Sequence, residues 1–290
     1  MTLNASGPIS LAGTTAGQSI EIELGGSGTA QISLNCTSVR TLAGVPSGAI
    51  TMPTNFYGKA NQFNYTVSSN QTNFCMRAGA VSAGWNGTAK LNVTINSGVI
   101  ISSNGTGTPA MRIQGSYPGT VTVKNNGTIV GMGGGGGSAE SCSAPTAGSA
   151  GGTSLKICSA VTFCNTSGVI AGGGGGGGGG YAVNCCTYGL VGGGGGGGGR
   201  SSNAANSSGG AGGSYGVCRR GSAGSAGTFA SAGNGGASGG GSGYPGGNGG
   251  AWGASGSAAN GSGGGAGGKA TCGASNVTWQ GTGTRYGSIS

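Results

Sequence analysis

The sequence predicts an all-β N-terminal part followed by a glycine-rich half built from packed extended backbone, with almost no helix. Three observations predict it. Glycine runs without interruption through Gly133–Gly137, Gly172–Gly180 and Gly192–Gly199. Apolar and polar residues alternate over short runs before residue 131, the period of a half-buried strand. Helix signals are absent apart from a short turn around Cys75–Ala83.

Residues 1–35 read as a loose hairpin. Ile20-Glu21-Ile22-Glu23-Leu24 and Gln31-Ile32-Ser33-Leu34-Asn35 both alternate strictly, with Gly25-Gly26-Ser27-Gly28 between them. On such a strand Glu21 and Glu23 share the solvent face. Pro46 and Pro53 then break regular structure. Asn55-Phe56-Tyr57-Gly58-Lys59 places two aromatics beside a glycine, either as a core plug or as an exposed docking peptide, and the docking reading is preferred.

Strand-like runs follow at Phe63–Val67, Leu91–Ile95, Val99–Ile101, Met111–Gln114 and Gly119–Lys124, separated by turn residues. A repeat is visible. Val93–Ile100 recurs as Val121–Ile129 and, more loosely, as Val161–Ile170, each copy an alternating strand, an Asn/Gly turn and a short apolar strand. The last two copies run into glycine tracts, so the sequence predicts stacked β units feeding a glycine-rich layer.

Only 18 of the 77 glycines precede Gly131. A nine-residue glycine run loses more backbone freedom on folding than any other nonapeptide, and it has no side chain to bury. It orders only if its amides and carbonyls pair with other backbones, each bond contributing about 1 kcal/mol net. A left-handed three-fold extended helix rising ~3.1 Å per residue allows this, because bare Gly leaves all sides open to neighbours. Gly172–Gly180 and Gly192–Gly199 would then span about 28 and 25 Å, lengths matched for side-by-side packing. As a compact loop their connector, Tyr181–Val191, makes them antiparallel; fully extended it makes them parallel. The compact form is favoured. Gly246–Gly250 and Gly261–Gly268 read as shorter members of the array.

The connectors carry the large side chains of this half: Tyr181, Tyr188, Tyr215, Tyr244 and Trp252. Loops on a rigid scaffold often carry binding, and aromatics give wide rigid contact area. The same residues could instead cap the array against water.

Nine cysteines include no C-x-x-C and meet no His, which argues against structural zinc. Cys142, Cys158, Cys164, Cys185, Cys186, Cys218 and Cys272 fall after residue 131, where they read either as disulfide staples or as small apolar packing. Charge is sparse: 12 basic residues and three acidic ones, net +9, with Arg219-Arg220 the one basic pair. That spread argues against nucleic acid, which needs clustered cations. No apolar run approaches the ~20 residues of a membrane span, and the N-terminus lacks signal-peptide features, so assembly in the cytoplasm without membrane insertion is expected. With no His or Asp and three scattered Glu, no catalytic residues, metal or cofactor are expected.

Several strings are similar to known phage proteins. Leu3–Leu11 through Gly17–Ile20, with Asn55–Lys59, resembles the N-terminal module of tailed-bacteriophage virion proteins. Asn73-Phe74 through Gly84-Trp85, Val93–Gly98, Ile129–Gly133 and the ending Thr278-Trp279 to Arg285–Ser290 resemble tail-fibre and tail-tip proteins. The glycine tracts resemble those of the distal tail-fibre adhesins of T-even-like phages, whose Gly-rich segments form a polyglycine II sandwich displaying host-recognition loops. The cysteine content exceeds what that family usually shows.

The resemblance implies four regions. Residues 1–60 are a β-rich virion-attachment module in which Phe56 and Tyr57 dock onto other phage virion proteins. Residues 61–130 are the β repeats, 131–275 the polyglycine II domain with its connectors, and 276–290 a C-terminal strand. It implies a non-catalytic adhesin in the phage tail that binds a bacterial surface receptor, protein or polysaccharide. The alternative is a purely structural capsid, tail or baseplate component.

Overall fold

The computed structural model describes residues 2–290 except 86, 88, 118, 140–143, 186–188, 192, 215–219 and 241–242, and only backbone within 183–192. The chain divides into two compact units. The first holds Met1–Tyr65, Val81–Asn92 and Tyr117–Val121, the second Thr66–Ala80, Val93–Ser116 and Thr122–Ser290.

In the first unit the expected hairpin is replaced by helix. Ile20–Glu23 is a single α-helical turn (α1), capped by the Ser19 hydroxyl, which accepts from the Ile22 amide at 3.2 Å. Thr37–Ala43 forms α2 and stops at Gly44, whose φ of 74° is the left-handed conformation that ends helices. No strand occurs before Gln62 among the described residues, so the β-rich reading of residues 1–60 is corrected. The I-E-I-E alternation misled because both glutamates are buried. A Glu21 carboxylate oxygen accepts the Gly28 amide, and Glu23 Oε1 accepts the Asn61 amide at 2.9 Å. Backbone partners of this kind offset the cost of burying a carboxylate. Leu3, Ile20, Val39, Leu42 and Phe56 form the core. Phe56 is fully buried, so it is the core plug and not an exposed docking side chain.

From Gln62 onward the strands wind in parallel coils. β1 (Gln62–Val67), β2 (Gln71–Thr72) and β3 (Phe74–Cys75) are followed by α3 (Met76–Ser82), where the sequence places a short turn. β4 (Lys90–Ile95), β5 (Ile100–Ser102) and β6 (Met111–Ile113) repeat the first three. β7 (Val121–Asn125), β8 (Thr128–Val130) and β9 (Leu155–Ile157) repeat them again. β10 (Val161–Cys164) and β11 (Val169–Ala171) precede an antiparallel hairpin, β12 (Val183–Cys185) and β13 (Gly189–Val191). β14 (Thr271–Cys272), β15 (Val277–Trp279) and β16 (Thr284–Tyr286) close the chain.

The strands sort into three sheets ordered β1-β4-β7-β10-β15, β2-β5-β8-β11-β16 and β3-β6-β9-β14. This is a three-faced β-solenoid, and the sequence repeats are its coils. Thr122 aligns with Thr162 and Ile129 with Ile170, as the repeat suggests. In the earlier copy the Leu91 amide bonds Thr120 O, which sets Leu91, not Val93, beside Val121.

The glycine tracts leave the solenoid between its second and third faces, between β8 and β9 and again between β11 and β14. They carry the ladder with them: the Gly131 amide donates to Ala171 O and the Gly172 amide to Tyr286 O. Beyond that the bonding has a three-residue period. Gly173, Gly176 and Gly179 donate to Gly152, Ser149 and Thr146; Gly174, Gly177 and Gly180 donate to Arg200, Gly197 and Gly194; Gly175 and Gly178 donate to Ala254 and Ser257. In return, carbonyls of the tract accept amides from Gly134 and Gly137, from Gly247, Gly250 and Gly253, and from Gly265 and Gly268.

Gly172–Gly180 therefore has six backbone neighbours, donating to three and accepting from three. Gly193–Gly199 does the same. It bonds along 134–137, 174–180, 210–213, 222–228, 233–236 and 244–250. Descending partner numbers make these two long tracts antiparallel, as a compact connector requires. Every glycine from Gly172 to Gly180 is buried. A Cβ on Gly176 would lie 1.9 Å from Gly135 O, and one on Gly196 would lie 2.1 Å from Gly177 O. Only bare backbone fits.

Candidate functional site: the two ends of the glycine lattice

Because Gly172 continues β11 and Gly180 lies eight residues on, the tract has a solenoid end and an outer end, separated by about 25 Å. Hydrogen bonds assign each connector to one of them.

At the outer end the Gly180 amide donates to Gly194 O (2.8 Å), the Gly194 amide to Tyr244 O (3.0 Å) and the Tyr244 amide to Tyr181 O (3.3 Å). Tyr181 and Tyr244 are thus neighbours, and both are exposed, at 43% and 41%. Pro145 and the Tyr181 ring both lie 3.3 Å from where a Gly261 Cβ would stand, which brings the 138–146 and 257–263 connectors to the same end. Gly213 and Gly221, bonded to each other at 3.0 Å, flank the connector that carries Tyr215. Tyr188 and Tyr215 themselves lie outside the described residues.

Trp252 is at the opposite end. The Gly250 amide bonds Gly175 O and the Gly253 amide bonds Gly172 O, so the connector between them turns beside the solenoid. There the Arg200 guanidinium carbon sits 3.5 Å over the Trp252 ring centroid, and Arg200 Nε donates to Phe229 O at 3.1 Å. Phe229 meets Trp252 edge-on at 5.2 Å and Tyr286 of β16 tilts against it at 6.1 Å. Trp252 Nε1 donates to Ser201 O at 3.1 Å. The five aromatics grouped by sequence are therefore divided, and Trp252 belongs to a packed joint. Its signal was Arg200, the cation that ends the third tract, which sequence reasoning left unused.

The other candidates are placed as follows. Tyr57 is half-buried and its hydroxyl donates to Gly7 O at 3.0 Å. Cys158, Cys164 and Cys272 are free thiols, as are Cys36 and Cys75, so the staple reading is corrected for the first three. The backbone lattice supplies the cohesion that staples were invoked to provide. Cys142, Cys186 and Cys218 lie outside the described residues, as does the side chain of Cys185. The Cys164 thiol is held below its ordinary value, chiefly by the Thr166 hydroxyl 3.5 Å from Sγ. Among the described residues no group of three metal-ligating side chains occurs, and no helix is long and apolar enough to cross a membrane.

The sequence profile of a family described as phage tail fibre adhesin Gp38 matches residues 62–290. The chain belongs to this family. It is a tail-fibre adhesin of the phage virion and serves attachment to the host cell. No curated protein sequence matches it. A solved structure similar to it is the gp37–gp38 adhesin tip complex of the bacteriophage S16 long tail fibre, at 24% identity and a TM-score of 0.57, covering 87% of this chain and 91% of that one. That likeness bears on the fold of the adhesin.

Proposed function

We propose that this adhesin contacts its bacterial receptor through the outer end of the glycine lattice, with Tyr181 and Tyr244 at the centre of the contact and the Tyr188 and Tyr215 connectors beside them. The observation that carries the reading is the pairing of two exposed tyrosines, from connectors far apart in sequence, on backbone bonded to one tract end. Exposed rings on rigid backbone lose little entropy on binding. The lattice is read as a polyglycine II sandwich; its three-residue bonding period and six neighbours per tract support this. Binding is read as non-catalytic: among its described residues the outer end offers hydroxyls, rings and the exposed Arg220 and no general base.

Trp252 is assigned to the joint, not to the receptor contact. Residues 1–60 are assigned to attachment on another phage virion protein. The S16 relative is named for a complex with gp37, and an N-terminal segment with its own core of Leu3, Ile20, Val39, Leu42 and Phe56 suits such a mount. Of the two residues expected to dock, Tyr57 remains a candidate.

The test is adsorption of particles carrying Tyr181→Ala and Tyr244→Ala together. At least tenfold slower adsorption with an unchanged melting temperature is expected. Unchanged adsorption would overturn the assignment.

A further inference from the structure

The third sheet carries a column that the adhesin function does not use. Register places Cys75 beside Arg112, Arg112 beside Lys156 and Lys156 beside Cys272. Their strand neighbours Phe74, Met111, Leu155 and Thr271 are buried, as are Ile113 and Ile157. Alternation therefore turns the whole column outward. Arg112 and Lys156 stand on adjacent strands, about 4.8 Å apart.

Two more cations border the column. Arg77, on α3 directly after β3, donates through Nε to Ser116 O at 3.3 Å. Lys269 Nζ donates to the Ser290 hydroxyl at 3.1 Å, where the 288–290 segment pairs along β14. Like charges on neighbouring strands repel, and the described residues of this unit include no acidic side chain to pair Arg112 and Lys156. Of the three acidic residues in the chain, Glu21 and Glu23 belong to the first unit and Glu140 lies outside the described residues. Arg112 Nε is buried without a hydrogen-bond partner.

We propose that this outer face is a basic strip that binds an anionic glycan bearing uronate or phosphate groups. The strip fits a linear, solvated polyanion better than a folded protein. Its outward side chains are Arg112, Gln114, Lys156, Ser159 and small cysteines, with none of the large aromatic or aliphatic anchors that protein interfaces centre on. Spaced anions would bridge Arg112 and Lys156, the guanidinium being suited to paired oxygens. The contact is weak and salt-sensitive, and it is independent of the tyrosine end.

The full chain is titrated with polygalacturonate at low and physiological salt. Arg112→Gln with Lys156→Gln is expected to bind about tenfold more weakly, with a shallower salt dependence, since each lost cation forfeits counter-ion release. Lys156→Gln alone, an exposed change, gives part of that loss if the double variant folds poorly. Lys124→Gln, on a different sheet, leaves binding unchanged. Equal loss from Lys124→Gln, no loss from Lys156→Gln, or equally tight capture of polyglutamate would overturn the proposal.

Discussion

Asn125 Nδ2 donates to Asn165 Oδ1 at 2.7 Å, one coil of the solenoid handing a hydrogen bond to the next through two fully buried amides. The chain is extended at both ends. Asn125 Oδ1 accepts the Gly127 amide at 3.1 Å, and Asn165 Nδ2 donates to Thr282 O at 2.9 Å in the last coil. These side chains close the corner between the first and second sheets from inside.

Asn165→Leu should therefore leave Thr282 O without its present side-chain partner and Asn125 Nδ2 with only the long 3.5 Å bond to Val169 O. Each orphaned group costs about 1–3 kcal/mol, so a loss of about 2–4 kcal/mol is expected. Denaturant unfolding followed by the fluorescence of Trp279, whose ring lies 5.4 Å from buried Phe163, reads it. A loss below 1 kcal/mol would show that the corner holds without the ladder.

Within the lattice, substitution should sort by position and not by residue. Gly176→Ala places a methyl 1.9 Å from Gly135 O, a clash with backbone that no rotamer relieves, and should cost several kcal/mol. Gly263→Ala meets nothing within 4 Å and should be nearly neutral. Thermal melting of the two variants side by side decides it.

Trp252→Ala removes the Arg200 stack, the Phe229 and Tyr286 contacts and the bond to Ser201 O. A loss of about 2–3 kcal/mol is expected for this half-buried ring. Folded particles should still adsorb at the wild-type rate. Slower adsorption at full stability would return Trp252 to the receptor contact.

Cys164 should alkylate at lower pH than the same thiol in the unfolded chain. The Thr166 hydroxyl and then the Thr166 backbone favour the thiolate, burial opposes it, and Lys124 adds attraction. The deprotonated form is the one the fold favours. Its small stabilisation is thus present above the unfolded thiol's titration and fades as pH falls through the folded one. Thr166→Val should move the alkylation profile back towards higher pH.

The sequence was most informative where one physical requirement admits one solution. Val121 and Val161 were legible as equivalent coil positions because alternation and Asn turns recur together. It misled at Glu21 and Glu23, since four alternating residues suit a strand and a capped helical turn alike. The deciding partners, the Gly28 and Asn61 amides, are brought close only by the fold. It grouped Trp252 with Tyr181 because both sit on connectors, and nothing local says at which end of a tract a connector turns.

By itself, then, the sequence determined that the glycine tracts must pair backbone to backbone, because a chain without side chains has no other source of cohesion. Tertiary structure alone decided which neighbour each amide meets. That choice depends on direction and register among segments as far apart in sequence as Gly148 and Gly263, and it separates the two tyrosines at the outer end from the tryptophan at the solenoid end.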